Sequence, residues 1–328
     1  MQNQRLNYID RLKGFAIFMV VFGHVVVYGL HNYDDTLRMF ASSFHMPLFM
    51  FLSGLVISSV PTPQKFLAKA CRFLCPLLTI GLLYNAYIGR LPLEMFFDKA
   101  KSGFWYLWVL TEFYAILMLL RNNHKNTKKI GKTIDTLFLV IILVTFAFLE
   151  SKNPRISNFL SLGSCKNYWP FFYGGYLCHK YNLIAFIEKH ARLVYAAGTI
   201  LFISVFSMAV AHNLTSVVNA VTGIAAIPFL ILLFKEREDK HNFWDQELQR
   251  LGQNSLEIYM FEYFFLANIN LHGLENWFIQ THNQFLQIIF TLVMAVAITY
   301  SSLLLGKLSH KTGYLDDIIY GKFAQKLL

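Results

Sequence analysis

A single histidine stands in the first apolar segment of the sequence, at a position where an ionisable side chain is costly. Between Phe15 and Leu30 every residue except His24 and two glycines is apolar or aromatic. Ionisable groups that lie this deep in an apolar run are usually functional. A neutral imidazole is suited to accept a proton from a substrate, so His24 is predicted to act as a general base.

A cation lies on the same helical face as this histidine. Lys13 precedes His24 by eleven residues. In an α-helix that spacing places the two side chains within roughly 20° of one another and roughly 16 Å apart along the axis. The spacing predicts one helix face with a cation near the membrane surface and a proton-transfer group inside.

Other polar side chains interrupt later apolar segments. His45 is expected at a depth similar to that of His24, and the alternative is a histidine bonded to a backbone carbonyl beside Pro47. Glu112 and Glu262 are expected near mid-depth, where a carboxylate needs a partner. Either could orient His24 through its second ring nitrogen or pair with a lysine or arginine. Asn85 is a further buried polar candidate.

Cations cluster before the first and third apolar segments. The first group contains Arg11 and Lys13, and the second contains Lys65, Lys69 and Arg72. The simplest explanation is the excess of Lys and Arg that all membrane proteins carry on the cytoplasmic side. Together with His24, the cations also suit a ligand that is rich in phosphate and has a long thin arm.

Aromatic residues crowd the segment ends opposite those cations. An interfacial belt explains most of them, and a minority are candidates for stacking on a sugar ring. The aromatic group as a whole consists of Trp105, Tyr106, Trp108, Tyr168, Trp169 and Trp277, and Trp105 is the foremost candidate for stacking.

The composition is that of a polytopic membrane protein. Of 328 residues, 55% are hydrophobic and 15% charged, and the mean hydropathy is +0.43. The net charge of +10 comes from short blocks between apolar runs, which argues against nucleic-acid binding. The four cysteines lack metal-type spacing and are expected to pack in the interior, so no metal is expected.

Apolar runs of spanning length predict an all-α fold with about ten transmembrane helices and one transmembrane domain over 1–328, with no appended soluble domain. With both termini cytoplasmic, seven of the 29 lysines and arginines lie outside and 22 inside, which favours that orientation. The predicted helices are 12–30, 38–60, 71–89, 103–121, 133–149, 160–179, 192–210, 216–234, 252–270 and 284–305.

Two motifs resemble the membrane acyltransferase-3 family, including its fucose 4-O-acetylase-like branch. The first is Ile9-Asp10-Arg11-Leu12-Lys13-Gly14 with His24, and the second runs from Phe44-His45-Met46-Pro47 to Ser53-Gly54. Weaker similarity continues through 69–76, 104–107, 171–176 and 251–259. The family's arginine falls on Lys13, its paired arginines fall on Lys69 and Arg72, and a histidine common in the family falls on Glu262.

The resemblance implies a bacterial inner-membrane enzyme that moves an acyl group, most often acetyl, from acyl-CoA (acetyl-CoA) to a hydroxyl of a cell-envelope carbohydrate or lipid-linked sugar. Arg11, Lys13, Lys69 and Arg72 are then expected to hold the CoA phosphates, and Ser53, His45 or Asn85 to stabilise the oxyanion. An acyl-histidine intermediate is the rival mechanism. A sugar exporter without acyl transfer is the rival function. The acceptor, the acyl length and the oligomeric state stay open.

Overall fold

The computed structural model describes residues 6–31, 36–123, 128–212, 216–281 and 283–325, and within these ranges all regular structure is helical. The predicted all-α class is confirmed for this part of the chain. The α-helices are numbered in chain order: α1 (Asn7–His24), α2 (Thr36–Ser42), α3 (His45–Leu55), α4 (Pro63–Pro76), α5 (Leu82–Tyr87), α6 (Trp105–Leu117), α7 (Lys128–Lys152), α8 (Pro154–Phe159), α9 (Leu162–Lys180), α10 (Leu183–Lys189), α11 (Ala191–His212), α12 (Ser216–Lys235), α13 (Phe243–Gln253), α14 (Ser255–Leu266), α15 (His272–Thr281), α16 (Gln284–Ser309) and α17 (Gly313–Tyr320).

Five helical stretches are long and apolar enough to cross a membrane, and two shorter apolar helices cover 105–120 and 220–235. The chain therefore has the character of a multi-pass membrane protein. The count of ten spans and the cytoplasmic position of both termini stay predictions. The five stretches are Asn7–Gly29, Pro63–Tyr87, Gly131–Lys152, Ala191–His212 and Gln284–Ser309.

The predicted helix over 38–60 is divided into α2 and α3, and Pro47 accounts for the break. A proline has no N–H with which to bond the carbonyl four residues earlier, which here belongs to Ser43. The Thr222 hydroxyl donates to that carbonyl instead, at 2.9 Å. A side chain from α12 thus supplies the hydrogen bond that the Ser43 carbonyl cannot receive from Pro47.

One compact unit comprises 1–52 and 181–306. Its centre is α1, which packs against α2, α12, α13 and α14. The closest approach is at Gly14, where a Cβ would lie 1.9 Å from the carbonyl oxygen of Leu248. A Cβ at Gly252 would likewise lie 1.7 Å from the Asp10 carbonyl oxygen. Glycine at both positions lets α1 and α13 touch backbone to backbone.

A second compact unit comprises 53–180 and 307–328. In it α4 packs against α6, α9 packs against α6 and α7, and α17 packs against α4. Its interior is aromatic: the Trp169 ring stacks on Tyr173 at 5.1 Å and meets Phe113 edge-on at 5.2 Å. The expectation of a single domain over 1–328 stays a prediction.

Candidate active site

His24 is the last residue of α1, and a buried carboxylate fixes its ring. The Nδ1 atom lies 3.2 Å from Oε1 of Glu262, which belongs to α14. The His24 side chain is 21% exposed, whereas that of Glu262 is fully buried. The carboxylate therefore orients the imidazole from the protein interior while the ring keeps access to its surroundings.

The second ring nitrogen is held more loosely. Nε2 has a long contact of 3.4 Å with the hydroxyl of Tyr263. The Tyr28 ring meets the imidazole edge-on, with centroids 5.5 Å apart. A histidine whose Nδ1 is bonded to a carboxylate can take a proton at Nε2, and the carboxylate then stabilises the imidazolium.

The backbone changes geometry directly after this histidine. Residues Val25–Gly29 form a π-helical turn that continues α1. Such turns are rare and often mark functional sites. Upstream, α1 is unbroken from Lys13 to His24. The two residues therefore lie in one continuous helix, as the predicted axial spacing of roughly 16 Å requires.

His45 makes the backbone contact that the alternative interpretation of the sequence predicted. It is buried, and its Nδ1 donates to the carbonyl of Ala41 at 2.5 Å. The bond lies one turn back from His45, at the break between α2 and α3. This contact holds the His45 ring at the break, and a catalytic role for His45 stays a prediction.

Arg11 is bound inside the protein. It is fully buried, and it donates to the carbonyls of Arg237 and Lys240, the latter at 2.7 Å. Its Nη1 also lies 3.8 Å from Asp245, which accepts two bonds from Arg237. The guanidinium thus joins α1 to the loop before α13. Lys13, two residues on, is half-buried.

Three predicted cations line one cavity in the second unit. Lys65, Lys69 and Arg72 of α4 border a cavity of about 300 Å³. We call it the basic cavity. Its other lining residues are Val56, Ile57, Ser58, Ser59, Pro61, Ala68 and Tyr114, and Lys69 Nζ lies 5.9 Å from the centre of the Tyr114 ring. Cations and hydroxyls around a cavity of this kind suit a phosphorylated ligand.

Glu112 has partners within the second unit. Its Oε1 accepts from Trp108 at 2.9 Å, and its Oε2 accepts from the Cys165 thiol at 2.8 Å. Of the two carboxylates predicted to orient His24, the structure brings Glu262 to the ring. Glu112 instead ties α6 to α9.

The predicted oxyanion donors Ser53 and Asn85 are both in contact with neighbours. Ser53 Oγ lies 2.8 Å from the hydroxyl of Tyr106. Asn85 is buried, donates to the Gly81 carbonyl at 3.0 Å and accepts from Ser102 at 2.9 Å. Asn85 therefore fixes the loop before α6 in this structure.

The predicted sugar-stacking residues divide into two groups. Trp105 is half-buried and stacks on Tyr168 with ring centroids 5.0 Å apart. Trp169 is fully buried in the aromatic interior of the second unit. Of these two tryptophans, only Trp105 presents surface to a ligand.

Sequence reasoning missed several residues that border these sites. Tyr263 beside His24, and Ser58, Ser59 and Tyr114 of the basic cavity, were not predicted. Tyr263 follows Glu262 directly in the sequence. Because Glu262 was predicted to contact His24, this adjacency could have predicted Tyr263 near the same ring. The cavity residues come from separate segments and gave no comparable signal. Within the described residues no cluster of three or more His, Cys, Asp or Glu side chains could hold a metal ion.

Comparison with known proteins gives one informative match. A search of curated proteins and a search of solved structures each return no match. A family model described as an acyltransferase domain matches residues 6–305, which includes α1, α4 and α14. The match lends no support to the export alternative, and because it covers nearly the whole sequence, the chain belongs to the acyltransferase-3 family.

Proposed function

We propose that this membrane acyltransferase moves an acetyl group from acetyl-CoA to a hydroxyl of a cell-envelope carbohydrate, with His24 as the general base. The contact between His24 Nδ1 and the buried Glu262 carboxylate carries the proposal. A histidine oriented in this way is the usual means of activating a hydroxyl for acyl transfer.

The reaction proceeds by direct attack on the thioester. The acceptor hydroxyl gives its proton to Nε2 of His24 as its oxygen bonds to the thioester carbon. The tetrahedral intermediate then loses the CoA thiolate, and the imidazolium returns the proton to that sulfur. Glu262 stabilises the imidazolium between the two proton transfers.

The basic cavity is the proposed donor site. Lys65, Lys69 and Arg72 supply positive charge for the CoA phosphates, and Arg72 adds the planar fork that binds phosphate in a bidentate manner. Lys13 remains a candidate on α1. Arg11 is omitted from the donor site, because its guanidinium is bound to buried carbonyls.

The acceptor is proposed to be a sugar like those used by the fucose 4-O-acetylase-like branch, in a bacterial inner membrane. Trp105, stacked on Tyr168, offers an aromatic surface for a sugar ring. The paired hydroxyls of Tyr106 and Ser53 lie on the same unit and offer hydrogen bonds to an acceptor.

Replacement of His24 by alanine tests the proposal. Purified protein is incubated with radiolabelled acetyl-CoA and extracted envelope glycan, and the label on the glycan is counted. We expect His24→Ala to reduce transfer by about 10³-fold or more, while CoA binding by calorimetry persists. His179→Ala, at an exposed position, serves as the matched control. Transfer at the wild-type rate by His24→Ala would refute the base assignment.

Replacement of the cavity cations tests the donor site. Lys69→Met and Arg72→Met are each expected to weaken CoA binding about tenfold or more, because each loses a charge-assisted contact with phosphate. Lys311→Met removes an exposed lysine elsewhere and should leave the affinity unchanged. Wild-type affinity for CoA in both Lys69→Met and Arg72→Met would place the donor site elsewhere.

An experiment without the acceptor distinguishes the acyl-histidine mechanism from direct attack. Direct attack leaves no label on the protein after it is mixed with acetyl-CoA alone. Covalent catalysis leaves label on a peptide that contains His24, and hydroxylamine should release that label.

A further inference from the structure

The C-terminal segment, residues 313–325, packs against the helix that carries the cavity cations. It consists of α17 and a short helical turn at Lys322–Gln325, and both parts contact α4. Within the segment Ile319, Tyr320 and Ala324 are buried. The segment therefore covers part of a helix that supplies Lys65, Lys69 and Arg72.

One glycine makes the close approach to α4. Gly321 ends α17 with a φ of +63°, in the left-handed region. A Cβ at this position would lie 2.7 Å from the carbonyl oxygen of Cys71 and 3.2 Å from the sulfur of Cys75. Both the conformation and the space exclude a side chain. Cys71 lies between Lys69 and Arg72 in the sequence of α4, so the contact is made at the helical turn that carries the two predicted phosphate ligands.

Side-chain contacts tie the segment to Ser309 and His310, which precede it in the sequence, and link its own two ends. The Tyr320 ring stacks on His310 at 4.2 Å, and its hydroxyl lies 2.6 Å from Ser309 Oγ. Asp316 contacts His310 and accepts from Lys322 at 2.7 Å. These bonds fix the turn that brings Gly321 to α4.

The helix that the segment touches has a point at which it can bend. Pro76 ends α4 and is followed by a π-helical turn at Leu77–Gly81. Interruptions of this kind are where helices bend. The part of α4 before Pro76 therefore needs packing contacts with neighbouring elements to fix the orientation of its cationic side chains. Tyr114 of α6 and Gly321 provide such contacts.

We propose that the C-terminal segment is a positioning element of the basic cavity: through Gly321 it holds α4 so that Lys69 and Arg72 meet their ligand together. The identification of that ligand as CoA rests on the proposed function. The docking of the segment on α4 is independent of the proposed function.

Gly321→Ala tests the positioning. We expect the KM for acetyl-CoA to rise about tenfold with little change in kcat, because displaced cations weaken donor binding without touching His24. The matched control is Gly313→Ala, at the start of α17, where a Cβ meets nothing within 4 Å. An unchanged KM in Gly321→Ala would overturn the positioning role.

Thiol labelling follows the docking without any substrate. Cys71 and Cys75 are half-buried, whereas Cys165 and Cys178 are buried. A maleimide should therefore label Cys71 and Cys75 faster in Gly321→Ala than in Gly313→Ala. Equal labelling would overturn the docking contact. Wild-type protein that binds no CoA would instead overturn the donor site, and the labelling result would still stand.

A second variant guards against a general folding defect. Tyr320→Ala removes the ring that stacks on His310 and adds no steric clash. It should raise the KM for acetyl-CoA and the rate of Cys71 and Cys75 labelling, as Gly321→Ala does. A lower thermal midpoint with neither change would indicate a purely structural segment.

Discussion

Glu262 is the residue whose side chain determines how His24 presents its ring. Its Oε1 contacts Nδ1, and its Oε2 has no hydrogen-bond partner among the described residues. A buried carboxylate in this position stabilises the protonated ring. Catalysis by His24 should therefore depend on the charge of Glu262 as well as on its shape.

Glu262→Gln keeps the shape and removes the charge. We expect kcat to fall by about 10²-fold or more, because the imidazolium loses its counter-charge, while the KM for acetyl-CoA stays near the wild-type value. Steady-state kinetics on the purified protein measure both constants. Glu257→Gln, five residues earlier in α14, is the control. A wild-type kcat in Glu262→Gln would mean that the contact is structural.

Arg11 is a cation that the sequence assigned to the donor and the structure placed in the interior. Arg11→Met removes the hydrogen bonds to two backbone carbonyls, whereas Asp245 keeps its pair with Arg237, so we expect a loss of about 1–3 kcal/mol in stability. A thermal midpoint measured in detergent checks this. Arg250→Met, which breaks an exposed pair with Glu247, should cost about 0–1 kcal/mol.

The KM for acetyl-CoA distinguishes the two roles of Arg11. A buried structural residue leaves KM unchanged in the protein that remains folded. A raised KM with an unchanged midpoint would restore Arg11 to the donor site.

At the scale of the element, α1 and α13 depend on two glycines. Gly14→Ala would place a Cβ 1.9 Å from the Leu248 carbonyl oxygen. Because a backbone atom cannot move aside, we expect the helices to separate at a cost of at least about 2 kcal/mol. The yield of monodisperse protein and its thermal midpoint measure the effect.

Gly174→Ala is the matched control for that substitution. It lies inside α9, and a Cβ there meets nothing within 4 Å. Alanine favours a helix over glycine by about 0.5–1 kcal/mol, so the control should be neutral or slightly stabilised. Equal destabilisation of both variants would contradict the packing argument.

The loop before α6 should give stability a dependence on pH. Lys101 is fully buried, and burial lowers the pKa of its amine from 10.5 to about 8, partly offset by Glu112 and Asp98. The unfolded chain then binds more protons than the folded chain between these two values. Stability therefore rises with pH across that window, and the penalty is fully present at neutral pH.

Comparison of wild type with Lys101→Met isolates this effect. From about pH 7 to about pH 10, the thermal midpoint of wild type should rise relative to that of the variant. Parallel pH profiles for the two proteins would show that the Lys101 amine titrates as it does in the unfolded chain.

At the scale of the whole molecule, the distribution of cations predicts the membrane orientation. Leu91 lies in an exposed segment expected outside, and Gln64 lies at an exposed position expected in the cytoplasm. In a background with the four native cysteines changed to serine, Leu91→Cys should be labelled in intact cells. Gln64→Cys should be labelled only after permeabilisation. The opposite pattern would reverse the orientation.

The sequence by itself determined the helical class, the membrane character, the family and the residues worth testing. These follow from composition, hydropathy and helical phase, which are local properties: Lys13 and His24 share a face, and Lys69 and Arg72 share a helix. The predicted boundaries were less accurate. α1 begins at Asn7 instead of residue 12, because its first turns pack on α13, a partner more than 200 residues away.

Only the tertiary structure decided which polar side chains meet. Glu262 and Glu112 look alike in sequence, yet one contacts His24 and the other bonds Trp108 and Cys165. Arg11 and Lys69 are both cationic, yet Arg11 is bound to buried carbonyls and Lys69 borders a cavity. The physical reason is that the cost of a buried polar group depends on its partners, and those partners lie on helices that sequence spacing does not relate.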